Sequence, residues 1–520
     1  MKNITIYDST LRDGAQAQGI SYTVEDKLKI IERLDQLGVA YIEAGNPGSN
    51  PKDLEFFERA KELELQNAKL IAFGSTRRVN IAVENDANVN SLLKANTEAV
   101  AIFGKSWDFH VTDILKTTLD ENLRMIYDTI KYLKNKGKEV VYDAEHFFDG
   151  YSADPVYALK TIQAAVDAGA DSICLCDTKG GFLPMDIFNI TQMIVQRFNV
   201  QIGIHCHNDN GMAVAGSIMG VQAGATQVQG TVNGLGERCG NANLCTIIPN
   251  LQLKMGYNCI SEDSMSEITS IARAISGIAN IIHDERAPYV GNAAFAHKAG
   301  MHADAVNKNT NAYELIDPET VGNERVFLMS EVAGRSAVMS LINKVDPSIT
   351  RDSKETRLVI EKLKEMEYEG YQYEGAESSF ELIIRKILGK YHPFFELREF
   401  KVIVDEPTMN DFSSSAMIKI KVGEQEEITA AEGDGPVNAL DNAVRKALVR
   451  FYPWIMEMKL TDFKVRVLDS TSATAAKVRV LIESTDGREK WTTIGVSTDI
   501  IEASWRALVD SIEYKLSMKR

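Results

Sequence analysis

The chain has 520 residues, 44% hydrophobic and 25% charged, which excludes wholesale disorder and a fibrous class and, at about 150 residues per domain, predicts two to four domains. Lys and Arg number 57 against 73 Asp and Glu; the formal charge of −16 argues against nucleic acid or an anionic membrane as partner and leaves small anionic substrates open. No run approaches about 20 apolar residues, no apolar segment precedes Asp8, and the six sparse cysteines read as free thiols, so a cytoplasmic chain without a membrane span is expected.

From residue 4 to about 255, short β-branched runs alternate with stretches of helical period. The runs predict strands at 4–11, 40–45, 69–74, 99–104, 138–146, 171–177, 201–207 and 227–234. Segments between them, such as VEDKLKIIERLDQLG, stop on Gly38 and Gly137. Eight βα units without a GxGxxG after the first strand predict an α/β architecture, a (β/α)8 TIM barrel over residues 1–260, in preference to a doubly wound sheet.

Residues 261–390 read as a helical connector, broken at Pro288, Gly291, Pro318, Gly322 and Pro347. Over 391–520, three strand-like runs precede a helix that starts near Pro436, and the same order then recurs. Lys446-Ala447-Leu448 finds an echo about sixty residues on at Arg506-Ala507-Leu508, which predicts a C-terminal α/β module with an internal repeat.

In a barrel the chemistry gathers at the carboxyl ends of the strands. Ser9-Thr10-Leu11-Arg12-Asp13-Gly14 follows strand one: Arg12 can polarise an oxygen and Asp13 can bind a hard cation, although a plain turn uses the same residue types. His205 and His207 close strand seven, and strand alternation puts both imidazoles on the inner face, able to converge on one ion. After strand eight, four glycines between 230 and 240 allow a tight path that either forms a simple loop or sets Glu237, Arg238 or Asn241 over the mouth. Asp143 and Glu145 share a face of strand five, where inward carboxylates call for a metal, a proton transfer or an arginine. Glu43 ends strand two, and Asp177 with Thr178 ends strand six. His297, His302 and Tyr313, taken singly, read as structural or surface residues. One carboxylate and two imidazoles make a nitrogen and oxygen site for Mg, Mn, Zn or Co, and its open positions could chelate a 2-oxoacid while Arg12 stabilises charge on the keto oxygen.

Four ordered segments carry a resemblance: Asp8 to Gly14, His205-Cys206-His207-Asn208-Asp209, Gly234 to Ala242 (GLGERCGNA), and HKAGMH. Together they look like the 2-isopropylmalate, homocitrate and citramalate synthase family, and the likeness extends to a C-terminal module that starts a helix with Gly-Pro-Val-Asn-Ala. FGKSWDFHVTDILKTTLDENL and RDGAQAQGIS most resemble the (R)-citramalate branch, which joins pyruvate to acetyl-CoA and water. The resemblance implies that Asp13, His205, His207 and Asn241 hold the divalent metal and that Arg12 polarises the keto group. It further implies that Glu145 and Thr178 contact the keto acid, Glu145 taking part in proton transfer. His302 and Tyr313 would work near the thioester methyl, His302 reaching in from a neighbouring subunit. A homodimer is implied, with isoleucine as effector at the C-terminal module. Asp143 stands where relatives often carry a larger or apolar side chain, and Ala15 where isopropylmalate synthases commonly have Glu. A 2-isopropylmalate synthase and a catalytically silent amino-acid sensor are the alternatives; a lyase of the same superfamily would usually lack the C-terminal module.

Overall fold

The structure, a computed structural model, describes residues 2–49, 51–297, 305–306, 308–327, 335–373, 376–404, 414–468, 476–487 and 489–518. They form two compact units, Met1–Phe295 with Ile316–Arg325, and Ala296–Leu315 with Val326–Arg520.

The first unit is a closed parallel barrel of β1 (Thr5–Asp8), β2 (Tyr41–Gly45), β3 (Lys69–Ser75), β4 (Ala99–Lys105), β5 (Glu139–Glu145), β6 (Ser172–Asp177), β7 (Gln201–Cys206) and β8 (Gln227–Gly230). β1 closes the ring by pairing with both neighbours, Tyr7 opposite Tyr41 and Ile6 opposite Val228. All eight strands expected from the sequence are present. Because successive side chains point to opposite faces, one alternate set (Ile6, Ile42, Ala72, Ile102, Tyr142, Ile204) packs under the helices. The other (Tyr7, Ile71, Ala101, Val141) fills the lumen. Helix Val24–Leu37 shows the local rules: Thr23 and Asp26 form a reciprocal cap, and Gly38 ends the helix at φ 82°.

Three boundaries differ from the sequence pattern. β1 stops at Asp8 because its carboxylate accepts the Thr10 amide at 2.9 Å and the Thr10 hydroxyl at 2.8 Å, which turns the chain. β8 stops at Gly230, and the chain then enters a short turn, Val232–Gly234, with Asn233 at φ 60°. The barrel unit also runs past residue 260: Met265, Ile268, Ile271 and Ile275 join the core that holds Leu34 and Leu37. What reads as the start of a connector is packed barrel.

In the second unit, β9 (Ala296–His297) and β10 (Val326–Phe327) make a short parallel pair. Helices Arg335–Val345, Lys354–Glu369 and Glu377–Ile387 pack around Ile342, Val359, Leu363 and Phe380. Two antiparallel sheets follow, β11 (Glu396–Val404), β12 (Ser414–Val422) and β13 (Gln425–Gly433), then β14 (Lys459–Val467), β15 (Val478–Thr485) and β16 (Lys490–Ser497). Each leads into a helix, Pro436–Leu448 and Ile500–Ser517, and both copies share one core. Their register is set by matched hydrogen bonds: Thr429 Oγ1 donates to the Ala443 carbonyl at 2.8 Å, and 64 residues later Thr493 Oγ1 donates to the Ala507 carbonyl at 2.7 Å. The triplets that echo in the sequence are therefore out of step by about one helical turn. Buried Ile418 and Ala439 answer Ile482 and Ala503 at the true spacing. Among the described residues no helix is long and apolar enough to cross a membrane.

Candidate active site

Four side chains from widely separated segments meet at the barrel mouth. Asp13 Oδ2 lies 3.8 Å from His205 Nε2 and 3.8 Å from His207 Nε2, and Asn241 Nδ2 donates to Asp13 Oδ1 at 2.9 Å. Backbone pairing brings the last two residues together: His207 and Asn241 form an antiparallel bridge just beyond β7, flanked by bonds from the Asn208 amide to the Gly240 carbonyl and from the Ala242 amide to the Cys206 carbonyl. The loop that carries Asn241 can fold in because position 236 is glycine; a Cβ there would collide with Asn241 Nδ2. Of the other loop candidates, Arg238 pairs with Asp209 at 2.8 Å, with Glu237 beside it, both outside the cluster.

The electrostatics fit a cation. Burial opposes ionisation of Asp13, but Arg12 and the two imidazoles outweigh it and hold the carboxyl well below the usual range. Burial lowers His205, and burial with repulsion from His205 pushes His207 down to about 3, so both rings are neutral at pH 7 with lone pairs available. Asn241 Oδ1 and His207 Nδ1 are buried with no hydrogen-bond partner among the described residues. An ionised carboxylate, two neutral imidazoles and an unused amide oxygen are a donor set for a divalent ion.

Arg12 stands beside this cluster, fixed on three sides. Its Nη1 is 3.0 Å from Asp13 Oδ2, its Nε bonds Glu43, and its guanidinium lies 3.9 Å over the Phe73 ring. Glu43 is fully buried and also accepts from Tyr7 Oη at 2.6 Å and Ser9 Oγ at 3.1 Å. A cavity of about 330 Å³ opens next to Arg12, with Gln16, Tyr22, Asn46 and Lys52 in its wall.

On the opposite rim Glu145 ends β5 and bonds Lys105, while Thr178 Oγ1 accepts the His146 amide at 2.9 Å. Tyr313 lies in the second unit, about half exposed. His302 falls outside the described residues.

Residues 3–275 match the HMGL-like family, 289–370 the homocitrate synthase post-HMGL domain-like family, and 374–516 the LeuA allosteric (dimerisation) domain. The (R)-citramalate synthase of Aquifex aeolicus is 52% identical over 517 residues, covering 99% of this chain and 98% of that protein. The (R)-citramalate synthases of Synechocystis sp. and Geobacter sulfurreducens are each 50% identical, over 528 and 520 residues, covering 99% of this chain and 96% and 98% of theirs. The chain belongs to the (R)-citramalate synthase family. This is an acyltransferase family that joins a 2-oxoacid to acetyl-CoA, its HMGL-like barrel depends on a metal, and its LeuA domain is a dimerising, regulatory fold.

In this (R)-citramalate synthase family member, sequence reasoning passed over one residue. Gln229 Nε2 donates to Asp143 Oδ1 at 3.0 Å, and its Oε1 lies 3.1 Å from His205 Nδ1. With the amide so oriented, His205 carries its proton on Nδ1 and turns Nε2 toward Asp13. The only available signal was a polar residue on the inner face of β8, two residues after Gln227. Burial, with Glu43 close by, pushes the Asp143 carboxyl up to about 7.

Proposed function

We propose that this chain is an (R)-citramalate synthase, condensing pyruvate with acetyl-CoA and water to give (R)-citramalate and CoA as a step toward isoleucine. In this reading the expected division into catalytic barrel (1–260), connector (261–390) and regulatory domain (391–520) holds in order, with the helices up to Ile275 counted with the barrel core they join. The observation that carries it is Arg12 held 3.0 Å from the carboxylate that also faces both imidazoles, in a chain 52% identical to an (R)-citramalate synthase.

Asp13, His205, His207 and Asn241 would hold Mg, Mn, Zn or Co, which when bound supplies Lewis acidity to the keto oxygen of the substrate. Arg12 donates to that oxygen as negative charge grows on it, and Glu43 and Phe73 keep the guanidinium from turning away. Glu145 and Thr178 bind the keto acid. Glu145, with Lys105 as counter-ion, takes part in moving a proton, and His302, reaching in from a neighbouring subunit, works with Tyr313 near the acetyl methyl. Removal of a methyl proton gives an enolate whose carbon attacks the keto carbon; the alkoxide is protonated, and water cleaves the thioester to release CoA.

A cavity of about 650 Å³ between the helix Pro436–Leu448 and β14, walled by Asn438, Asp441, Met456 and Phe463, supports binding of isoleucine by the regulatory domain of a homodimer. The test is CoA thiol release from acetyl-CoA with a panel of 2-oxoacids. Pyruvate should give the highest kcat/KM; a preference of about tenfold or more for 2-oxoisovalerate, about 1.4 kcal/mol in transition-state binding, would overturn the substrate assignment.

A further inference from the structure

Just inside the mouth, the barrel lumen holds a second group of donors. Ligand atoms of Asp143, Cys174 and Cys176 all lie within 4.8 Å of one another, and the residues are 4%, 0% and 6% exposed. Asp143 faces Cys174 across the β5–β6 ladder, and Cys176 sits beside His205 across β6–β7. Alternation along β6 directs both sulfurs into the lumen. Three donors about 2.3 Å from a common zinc ion stand no more than about 4.6 Å apart, so little movement is needed to close on one. Two sulfurs and one carboxylate oxygen select Zn²⁺ or Cd²⁺ over Mg²⁺ or Mn²⁺, the reverse of the bias in the imidazole cluster.

We infer that Asp143, Cys174 and Cys176 form a second, thiophilic metal site, separate from the Asp13, His205 and His207 cluster, and that Zn²⁺ or Cd²⁺ bound there inhibits the enzyme. At rest Cys176 Sγ contacts the Cys174 carbonyl at 3.7 Å. On binding, each cysteine, and Asp143 where it is protonated, loses its proton to solvent, and a lone pair of each sulfur and of one carboxylate oxygen goes to the ion. The inhibition follows from Gln229, whose amide spans Asp143 and His205. An ion that draws on the Asp143 carboxylate weakens the acceptor that orients Gln229, and His205 loses its anchor. The inhibition rests on the activity proposed above; the binding does not.

The test titrates full-length, reduced, metal-stripped protein with Cd²⁺ in excess Mg²⁺ and follows the ultraviolet thiolate-to-cadmium charge-transfer band. One Cd²⁺ per chain should raise the band. It should vanish in the Cys174→Ser, Cys176→Ser double variant and persist in Cys239→Ser, whose side chain is exposed. No band in the unsubstituted protein, or a band that survives the double substitution, overturns the site. Cadmium X-ray absorption on the unsubstituted protein gives the sulfur count without relying on a variant: two sulfurs support the site, and none or one sinks it. Cadmium held only by the imidazole cluster would show neither signal. CoA release should fall on Cd²⁺ addition in the unsubstituted enzyme and resist it at least about tenfold better in Cys176→Ser, and equal sensitivity overturns the inhibitory half. A two-sulfur site in a protein that releases CoA with no 2-oxoacid would instead count against the proposed activity alone.

Discussion

The barrel mouth and the C-terminal repeats are both products of repetition, yet they treat buried polar groups in opposite ways. In the repeats most buried polar side chains are spent within each copy: Thr429 and Thr493 bond helix carbonyls, and Ser484 and Ser511 bond each other at 2.8 Å, with the Ser414 hydroxyl a lone exception that converges on no second orphan among the described residues. At the mouth, capacity is left over, with Asn241 Oδ1 and His207 Nδ1 buried and unpartnered. Satisfied burial specifies a fold, and unsatisfied convergent burial marks a place where something binds.

The contrast breaks most sharply at Asp13. Asp13→Asn, or chelation of the metal, should lower kcat on the order of 10³-fold, because the several kcal/mol that a cation contributes at a growing oxyanion is lost. Restoration of CoA release by added Mg²⁺ or Mn²⁺ after chelation checks it; full turnover in a chelated, metal-free sample would refute a metal role. Arg12→Lys comes next. A lysine has neither the planar fork that reaches Glu43 and Asp13 together nor the flat face that rests on Phe73, so kcat should fall by about 10²–10³, with a smaller change in KM for the oxoacid. Gln229→Leu should cost about 10–100-fold in metal affinity, measured by competition against a chromophoric chelator. An unaltered affinity would mean that His205 is oriented without it.

How much of this was legible beforehand follows the same division. Strand positions could be read because glycines such as Gly38 punctuate a β-branched alternation, and His205 and His207 stood out as two polar residues on an inward face. Gln229 did not, since a lone glutamine looks the same whether it anchors a histidine or simply occupies the lumen; its role exists only once β5, β7 and β8 are side by side. The internal repeat is legible in the order of its elements but its register is not: Lys446-Ala447-Leu448 and Arg506-Ala507-Leu508 match in identity, whereas the fold preserves burial, Ala443 answering Ala507. The extent of the barrel core past residue 260 is not legible, because helical period alone does not say which core Ile268 and Ile271 will join.

A smaller effect belongs to pH. His207 titrates at about 3 when folded against 6.5 for the free side chain, so between those values the unfolded chain binds one proton more at this residue. Acidification of the metal-free protein below pH 6.5 should therefore destabilise it through His207 by up to about 1.4 kcal/mol per pH unit, the loss levelling off near the folded value. Thermal unfolding of the chelated protein from pH 7 to pH 4 should show a shallower acid-side decline in His207→Gln. Parallel curves would mean that the imidazole is not held neutral.

The finest comparison lies between the two copies of the C-terminal repeat. Thr429→Val and Thr493→Val each delete one hydroxyl donor to a helix carbonyl while keeping the side-chain shape, so each should cost about 1 kcal/mol in urea unfolding. Thr493 is fully buried and Thr429 only partly, so water can replace the lost bond at 429 more readily, and the second copy should lose more. Neither change should alter the Michaelis constants of the barrel when no effector is present. A loss at 493 with none at 429 would show that the 64-residue correspondence holds in geometry but not in energy, the first copy then resting on its apolar contacts through Ile418 and Leu440.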